Sequence, residues 1–177
     1  FYNIGRNKKI RLGLLWKISK LLTEKGFEEY SKENIEKNII LIGTKRGDVY
    51  IHNPKLPFNF NTEAGAYFIS GTLFDGGIDR EMKPHYGNIH FLMRKRIRDS
   101  VISIFGEMNH SELDPREGYF IRFSRVVGIL LHHCFNIGVG KKTHSNNRVP
   151  KFIFNYPNQL KCLFLRQAFD DDGTVSV

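Results

Sequence analysis

The chain has 177 residues and a mass of 20.6 kDa, a length that suits one domain with at most a small extension. Hydrophobic residues make up 41% and charged residues 25%, as in ordinary globular proteins, and no apolar run approaches the roughly 18 residues of a membrane span. The formal net charge of +9 indicates a polyanionic partner, most often nucleic acid, although solvated lysines would give the same total. Two cysteines, Cys134 and Cys162, are too few for a disulfide framework and favour a reducing, intracellular compartment.

The first part of the chain predicts a helix and a hairpin. Apolar residues recur at helical spacing over residues 10–25, and residues 39–51 contain two short apolar runs around a polar turn, which is typical of a β-hairpin. Pro54 and Pro57 then impose an extended connector. We therefore expect residues 1–60 to form an N-terminal helix and hairpin extension, separate from the rest of the chain.

Residues 61–177 predict a mixture of helices and strands. The expected elements are a helix capped at Asn61 or Thr62, strands at about 78–83 and 88–93, a helix at 96–108, a strand at 118–124 with a less obvious partner near 108–113, a helix at 125–138, and a last helix after a basic loop. This order of elements predicts an α+β fold.

Two stretches repeat one pattern. YFISGTLFDGGI, residues 67–78, aligns with FLRQAFDDDGTV, residues 164–175, so that Asp75 falls on Asp172. Each stretch is an apolar helix that ends in Asp-Gly and leads into a strand. Carboxylates at a helix C-terminus oppose the helix dipole, although an Asp-Gly pair taken alone is most often only a turn. Two such helices side by side would bring the aspartates together, and paired carboxylates suit a hard divalent cation such as Mg²⁺.

The two segments resemble the paired LAGLIDADG motifs of homing endonucleases, in the form common in archaeal introns and inteins. The family pattern is a run of apolar and small residues that ends in Asp/Glu-Gly and an apolar strand, and Asp75-Gly76 and Asp172-Gly173 match that ending. The stretch GVGKKTHSNNRVPKFIF, residues 138–154, adds the family's Gly-Lys-Lys and Val-Pro order before the second motif. The resemblance covers about residues 60–177.

The resemblance implies an αββαββα saddle that lies on double-stranded DNA, with the two motif helices beneath it. It implies that Asp75 and Asp172 bind Mg²⁺ (or Mn²⁺) for site-specific cleavage of both strands. It also places Arg125, where the family often has Lys, near the scissile phosphates; Arg keeps the charge but cannot exchange a proton with water. The expected DNA contacts are Arg80, Lys83, His85, Asn88, His90, Arg94, Lys95, Arg116, Arg122, Lys141 and Lys142.

Two departures from the family leave an alternative open. The helix seam, where the family favours small residues, holds Ser70 and Phe74 in one helix and Gln167 and Asp171 in the other. The chain also ends at Val177, in the first strand of what the family implies is a second half. A full-length protein would be a monomer with pseudo-twofold halves, whereas a fragment could dimerise. The alternative function is a DNA-binding protein or regulator that does not cleave; either function implies a cytoplasmic, nucleoid-associated location.

Overall fold

The computed structural model describes residues 10–44, 49–112, 119–141 and 148–173. These residues form a mixed α+β structure, as predicted, with six α-helices and two antiparallel sheets of three and four strands. The chain divides into two compact units, Phe1–Ile39 and Ile40–Val177. The hairpin that the sequence analysis grouped with the N-terminal helix thus belongs to the larger unit.

The smaller unit is a helical segment with one buried hydroxyl. It consists of α1 (Leu12–Glu24), a 3-10 turn (Glu28–Tyr30) and α2 (Lys32–Lys37). The Oγ atom of Ser19, buried in α1, donates a hydrogen bond of 2.7 Å to the main-chain oxygen of Tyr30. The helix predicted over residues 10–25 is therefore confirmed.

The larger unit contains the remaining elements. In chain order they are β1 (Leu41–Ile42), β2 (Ile51–His52), α3 (Glu63–Leu73), β3 (Gly76–Ile78), β4 (Pro84–Gly87), α4 (Phe91–Phe105), β5 (Glu107–Met108), β6 (Ser111–Glu112), β7 (Phe120–Arg122), α5 (Arg125–Phe135), a 3-10 helix (Lys151–Asn155) and α6 (Asn158–Asp172). The three-stranded sheet has the order β1-β2-β5, and the four-stranded sheet has the order β3-β4-β7-β6.

The antiparallel pairing of β1 with β2 confirms the predicted hairpin, whose turn at 45–48 lies outside the described residues. Strand β5 then pairs with the other edge of β2, Met108 opposite Ile51. This pairing across the chain places the hairpin in the larger unit. A two-residue strand directly after a helix carries too short a pattern to be recognised from sequence.

The two strands predicted after α3, at 78–83 and 88–93, are wrong in position. The structure has strands at 76–78 and 84–87, and the helix α4 already begins at Phe91. Between the strands, the Oδ1 atom of Asp79 accepts hydrogen bonds of 2.9 Å from the main-chain nitrogens of Glu81 and Lys83, and Met82 adopts a φ of 63°. An aspartate that caps its own turn therefore replaces the predicted strand.

The turn between β3 and β4, residues 79–83, rests on α5. Any Cβ atom at Gly128 of α5 would overlap the carbonyl group of Met82. The glycine thus allows the turn backbone to lie directly on the helix. The position of this turn, named here the β3–β4 turn, is set by close backbone packing.

The four-stranded sheet has one buried and one polar face. Tyr86 of β4 pairs with Ile121 of β7, and both side chains are buried on the side where α3 and α4 pack. The next pair along the strands, His85 and Arg122, points to the opposite face because side chains alternate along a strand. The polar face of the sheet therefore carries two of the predicted DNA contacts.

Candidate functional site at the paired helix ends

The two motif helices, α3 and α6, pack against each other, as the internal repeat predicts. The Oγ atom of Ser70 in α3 donates a hydrogen bond of 2.7 Å to the main-chain oxygen of Phe164 in α6. The rings of Phe74 and Phe164 meet edge to face with their centroids 6.3 Å apart. Because the buried hydroxyl is hydrogen-bonded to the backbone of the neighbouring helix, packing the two helices together leaves this polar group satisfied.

Both helices end beside the same strand, β4. The main-chain nitrogen of Gly87 donates to the main-chain oxygen of Asp75 over 3.4 Å, and the Nδ2 atom of Asn88 donates to Asp75 Oδ2 over 2.9 Å. The hydroxyl of Tyr86 donates to Asp171 Oδ1 over 2.6 Å. Burial, and then the nearby carboxylates of Asp171 and Asp75, raise the pKa of the Tyr86 hydroxyl above its usual range. Three consecutive residues thus hold an aspartate from each motif helix at one place.

The glycine after each aspartate has the same physical role. A Cβ atom at Gly76 would lie 2.9 Å from the Cα atom of Thr72, four residues earlier, and 2.6 Å from the main-chain oxygen of His85. A Cβ atom at Gly173 would lie 2.9 Å from the Cα atom of Phe169, again four residues earlier, and 2.5 Å from its oxygen. Real Cβ atoms do not approach a backbone this closely, so the chain can fold over the last helical turn only at glycine. The repeated Asp-Gly pattern therefore reflects one repeated geometry.

The carboxylate that reaches the seam from α6 is Asp171, which the sequence analysis did not assign to the site. Its Oδ1 atom also accepts a hydrogen bond of 2.8 Å from Nε2 of Gln167, while Oδ2 is buried and has no hydrogen-bond partner among the described residues. Burial raises the pKa of Asp171 to about 6, against the lowering effect of its hydrogen bonds to Tyr86 and Gln167. Asp172, the predicted metal ligand, is exposed.

The internal repeat in the sequence indicates that Asp171 lies in the seam. The alignment that pairs Asp75 with Asp172 also pairs Phe74 with Asp171. Because the ring of Phe74 lies in the seam against Phe164, the aligned residue of α6 is expected to face the seam as well. In the sequence alone, this position stands out only as a departure from the small residues that the family favours in the seam.

Arg96 of α4 connects the two motif helices. Its guanidinium lies 4.9 Å from the ring centroid of Tyr67 in α3, and its Nη1 atom donates to Oε1 of Gln167 (3.1 Å) and Oδ2 of Asp170 (3.0 Å) in α6. Gln167 is fully buried and uses both ends of its amide, Oε1 for Arg96 and Nε2 for Asp171. This network fixes the rotation of α6 about its axis and therefore directs Asp171 into the seam.

A cleft of about 590 Å³ opens beside Asp75, and Arg80, His85 and Lys141 line it. Three predicted DNA contacts therefore share one cleft with a predicted metal ligand. Asp172 does not line this cleft.

Lys141 reaches the cleft because the segment after α5 runs beside β3. The main-chain nitrogen of Gly140 donates to the oxygen of Ile78 over 2.8 Å, and Val139 forms a parallel bridge with Ile78. The basic loop that the sequence placed far from Asp75 along the chain is thus brought next to it.

Two of the predicted DNA contacts near the start of α4 already form hydrogen bonds or ion pairs within the protein. The Nη1 atom of Arg94 donates to the main-chain oxygen of Asn88 over 2.6 Å, and Lys95 forms an ion pair with Asp99. His90 is exposed and immediately precedes the helix. The predicted contacts Arg116 and Lys142 lie outside the described residues.

The two arginines near the start of α5 do not line the cleft beside Asp75. Arg122 and Arg125 line a second pocket together with Lys83 and Arg80. Arg125, which the resemblance places near the scissile phosphates, thus lines a pocket that neither predicted metal ligand lines, although Arg80 lines both this pocket and the cleft beside Asp75.

The oxygen donors at the helix ends suit a hard divalent cation. Mg²⁺ and Mn²⁺ favour carboxylate and water oxygens, and Mg²⁺ is commonly held by one or two carboxylates with water and phosphate completing its shell. Asp75 and Asp172 supply two such groups, and Asp171 adds a buried oxygen without a partner among the described residues. In that part of the chain no group of three or more His, Cys, Asp or Glu side chains is placed to hold an ion. A cation bound here would therefore have to take most of its ligands from water and phosphate.

No helix within the described ranges is both long and apolar enough to span a membrane. A scan against protein-family models found no match, and a comparison with curated protein sequences found no significant match either.

Proposed function

We propose that the chain is a site-specific, metal-dependent DNA endonuclease with the saddle fold of the LAGLIDADG homing endonucleases. The observation that carries the proposal is the packing of α3 on α6, with Asp75 after the first helix held by Asn88 and Asp171 at the end of the second held by Tyr86 of β4. Two carboxylate-bearing helix ends, one of them beside a cleft that Arg80, His85 and Lys141 also line, favour chemistry on a phosphodiester.

The DNA partner is supported by charge and by the sheet. The chain carries a formal net charge of +9, and His85 and Arg122 lie next to each other on the polar face of the four-stranded sheet. A cationic, solvent-facing sheet neutralises backbone phosphates without reading sequence, while neighbouring polar side chains supply base contacts.

In this proposal Asp75 and Asp172 hold Mg²⁺ or Mn²⁺, and Asp171 supports them from the seam. When bound, such a cation activates water for attack at phosphorus and stabilises the charge that develops there. Asn88 fixes the orientation of the Asp75 carboxylate through its amide. Lys141, His85 and Arg80 border the cleft beside Asp75 and would position the phosphate.

The test is cleavage of a randomised-site plasmid library at low salt with Mg²⁺. Double-strand cuts at one sequence are expected from the unchanged chain and not from Asp75→Asn or Asp172→Asn. Glu107→Gln, which removes an exposed carboxylate on β5, is the matched control and should cut normally.

Salt-sensitive duplex binding without cuts, in the presence of Mg²⁺ or Mn²⁺, would contradict the nuclease and favour the non-cleaving DNA-binding protein. Equal cutting by the unchanged chain and by both aspartate variants would instead locate the activity in a contaminant.

A further inference from the structure

The face of α6 opposite its buried Gln167 is exposed and largely apolar. Leu165 and Phe169 lie one turn apart on this face, and the two residues are 53% and 68% exposed. Cys162, almost one turn before Leu165, is exposed as well. We name Cys162, Leu165 and Phe169 the outer stripe of α6. Single exposed apolar residues are common on protein surfaces, whereas neighbouring ones on one helix face form a patch that favours contact with a partner.

The corresponding face of α3 is buried. In the alignment of the internal repeat, Phe68 falls on Leu165 and Thr72 falls on Phe169. Phe68 and Thr72 are both buried, and the Phe68 ring packs against Phe105 of α4 with the centroids 6.0 Å apart. The outer stripe thus holds, in α6, the positions at which α3 meets its core, but the described part of the chain places no core over it.

The charges beside the outer stripe are self-complementary. Lys161 and Asp172 lie about three turns apart along the same edge of the stripe, Lys161 near its start and Asp172 near its end. When two identical helices pack antiparallel, the same edge of each meets, so unlike charges at its two ends come together. Antiparallel packing also sets the positive N-terminus of each helix beside the negative C-terminus of the other. A second copy of this chain therefore complements the stripe in charge as well as in apolar character.

One register satisfies both kinds of contact. A twofold axis opposite the middle of the stripe sets Leu165 of each copy against the partner's Phe169. In that register Lys161 comes within about one helical residue of the partner's Asp172, and the twofold axis repeats this contact at the other end. Two independent features of the sequence thus select the same arrangement.

We propose that two copies of this chain associate through the outer stripe, with their α6 helices antiparallel. Leu165 and Phe169 form the apolar centre, and reciprocal pairs of Lys161 with the partner's Asp172 close both ends. Two short helices bury less than the roughly 1,600 Å² of a standard interface, so the dimer is weak and its population depends on concentration. The association does not require the proposed nuclease function, because the outer stripe lies outside the seam between α3 and α6.

The test is sedimentation equilibrium of the unchanged chain over a wide range of concentrations at low salt. Divalent cations are left out, because Asp172 is also a proposed metal ligand. We expect the average mass to rise with concentration from 20.6 kDa towards twice that value. Phe169→Ser should weaken the association by at least about tenfold, since the twofold axis buries this ring twice. Leu92→Ser, which removes a leucine of α4 that is 74% exposed, is the matched control and should associate normally.

A charge exchange tests the antiparallel register. Lys161→Glu and Asp172→Lys each bring like charges together at both ends of the dimer, so each variant alone should associate several-fold more weakly. In an equimolar mixture of the two variants, unlike charges face each other at both ends again. The mixture should therefore associate about as well as the unchanged chain, a result that a folding defect in either variant would not produce.

A mass that stays at 20.6 kDa at every concentration, or equal weakening by Phe169→Ser and Leu92→Ser, would overturn the proposal. So would a mixture of the two charge variants that associates no better than either variant alone. A monomeric chain that cuts DNA would contradict only this association, whereas a dimer that does not cut would contradict only the proposed function.

Discussion

At the seam between α3 and α6, the Asp171 carboxylate is held by two donors yet keeps one buried oxygen without a partner among the described residues. Its pKa of about 6 exceeds the value near 3.9 of an unfolded aspartate. The folded protein therefore binds the proton more tightly than the unfolded chain does. The stability gained from protonation is fully present below about pH 4 and is lost as the pH rises to about 6.

Replacing Asp171 with Asn keeps the shape and the acceptor oxygen but removes the charge. We expect Asp171→Asn to be more stable than the unchanged chain at neutral pH by about 1 to 2 kcal/mol, since each pKa unit corresponds to about 1.4 kcal/mol and partial solvation reduces the effect. The difference should shrink toward about pH 4. Chemical denaturation across this range, without divalent cations, measures it; a difference independent of pH would contradict the raised pKa.

Gly76 and Gly77, which are neighbours in β3, allow a test of the close packing at the Asp-Gly end. A Cβ atom at Gly76 would strike main-chain atoms, whereas one at Gly77 would meet only the ring of His85, at 3.2 Å. Gly76→Ala should therefore lower the free energy of unfolding by about 1 to 3 kcal/mol. Gly77→Ala, the matched control, should cost less because a side chain can move. Equal losses in chemical denaturation would show that the close approach at the Asp-Gly end is not what requires glycine.

At the scale of elements, one side chain of α4, Arg96, joins both motif helices. Arg96 contacts Tyr67 of α3 and both Gln167 and Asp170 of α6. We expect Arg96→Met to destabilise the larger unit by about 1 to 2 kcal/mol, because the buried amide oxygen of Gln167 loses its donor. Faster hydrogen exchange should appear mainly in α6.

A double-mutant cycle isolates the ion-pair part of this contact. Arg96 and Asp170 are both partly exposed, so their coupling should be only about 0.5 to 1 kcal/mol. Lys95→Met, which breaks the exposed pair with Asp99 on the same helix, is the matched control and should leave exchange in α6 unchanged. Loss of protection in both variants would mean that α4 itself had weakened.

Elements with a long apolar period were predictable from sequence, and short strands beside a turn that a side chain closes were not. The helices α1, α5 and α6 follow their hydrophobic patterns, and the repeat correctly paired α3 with α6. The strands between residues 78 and 93 were misplaced because Asp79 closes a turn that periodicity does not reveal. Asp171 was missed for a related reason: the rotation of α6 depends on Arg96, far away in the chain.

At the scale of the whole molecule, the excess of positive charge predicts how duplex binding depends on salt. If about five phosphates are neutralised, the logarithm of the binding constant should fall against the logarithm of the salt concentration with a slope of about −4 to −5. Arg122→Gln should reduce the slope by about 1, and Arg166→Gln should leave it unchanged. Fluorescence anisotropy with a labelled duplex gives these slopes; a slope near zero would exclude a backbone-dominated DNA contact.

The β3–β4 turn has a consequence for how this protein can change over evolutionary time. Its shape depends on Asp79, on the backbone of Met82 and on the bare surface of Gly128, and on none of the side chains that it presents to solvent. Arg80 and Glu81 are exposed and can be exchanged without moving the turn. Substitutions at these two positions can therefore change what the turn binds while its backbone stays in place. Binding specificity can then diverge faster than the fold.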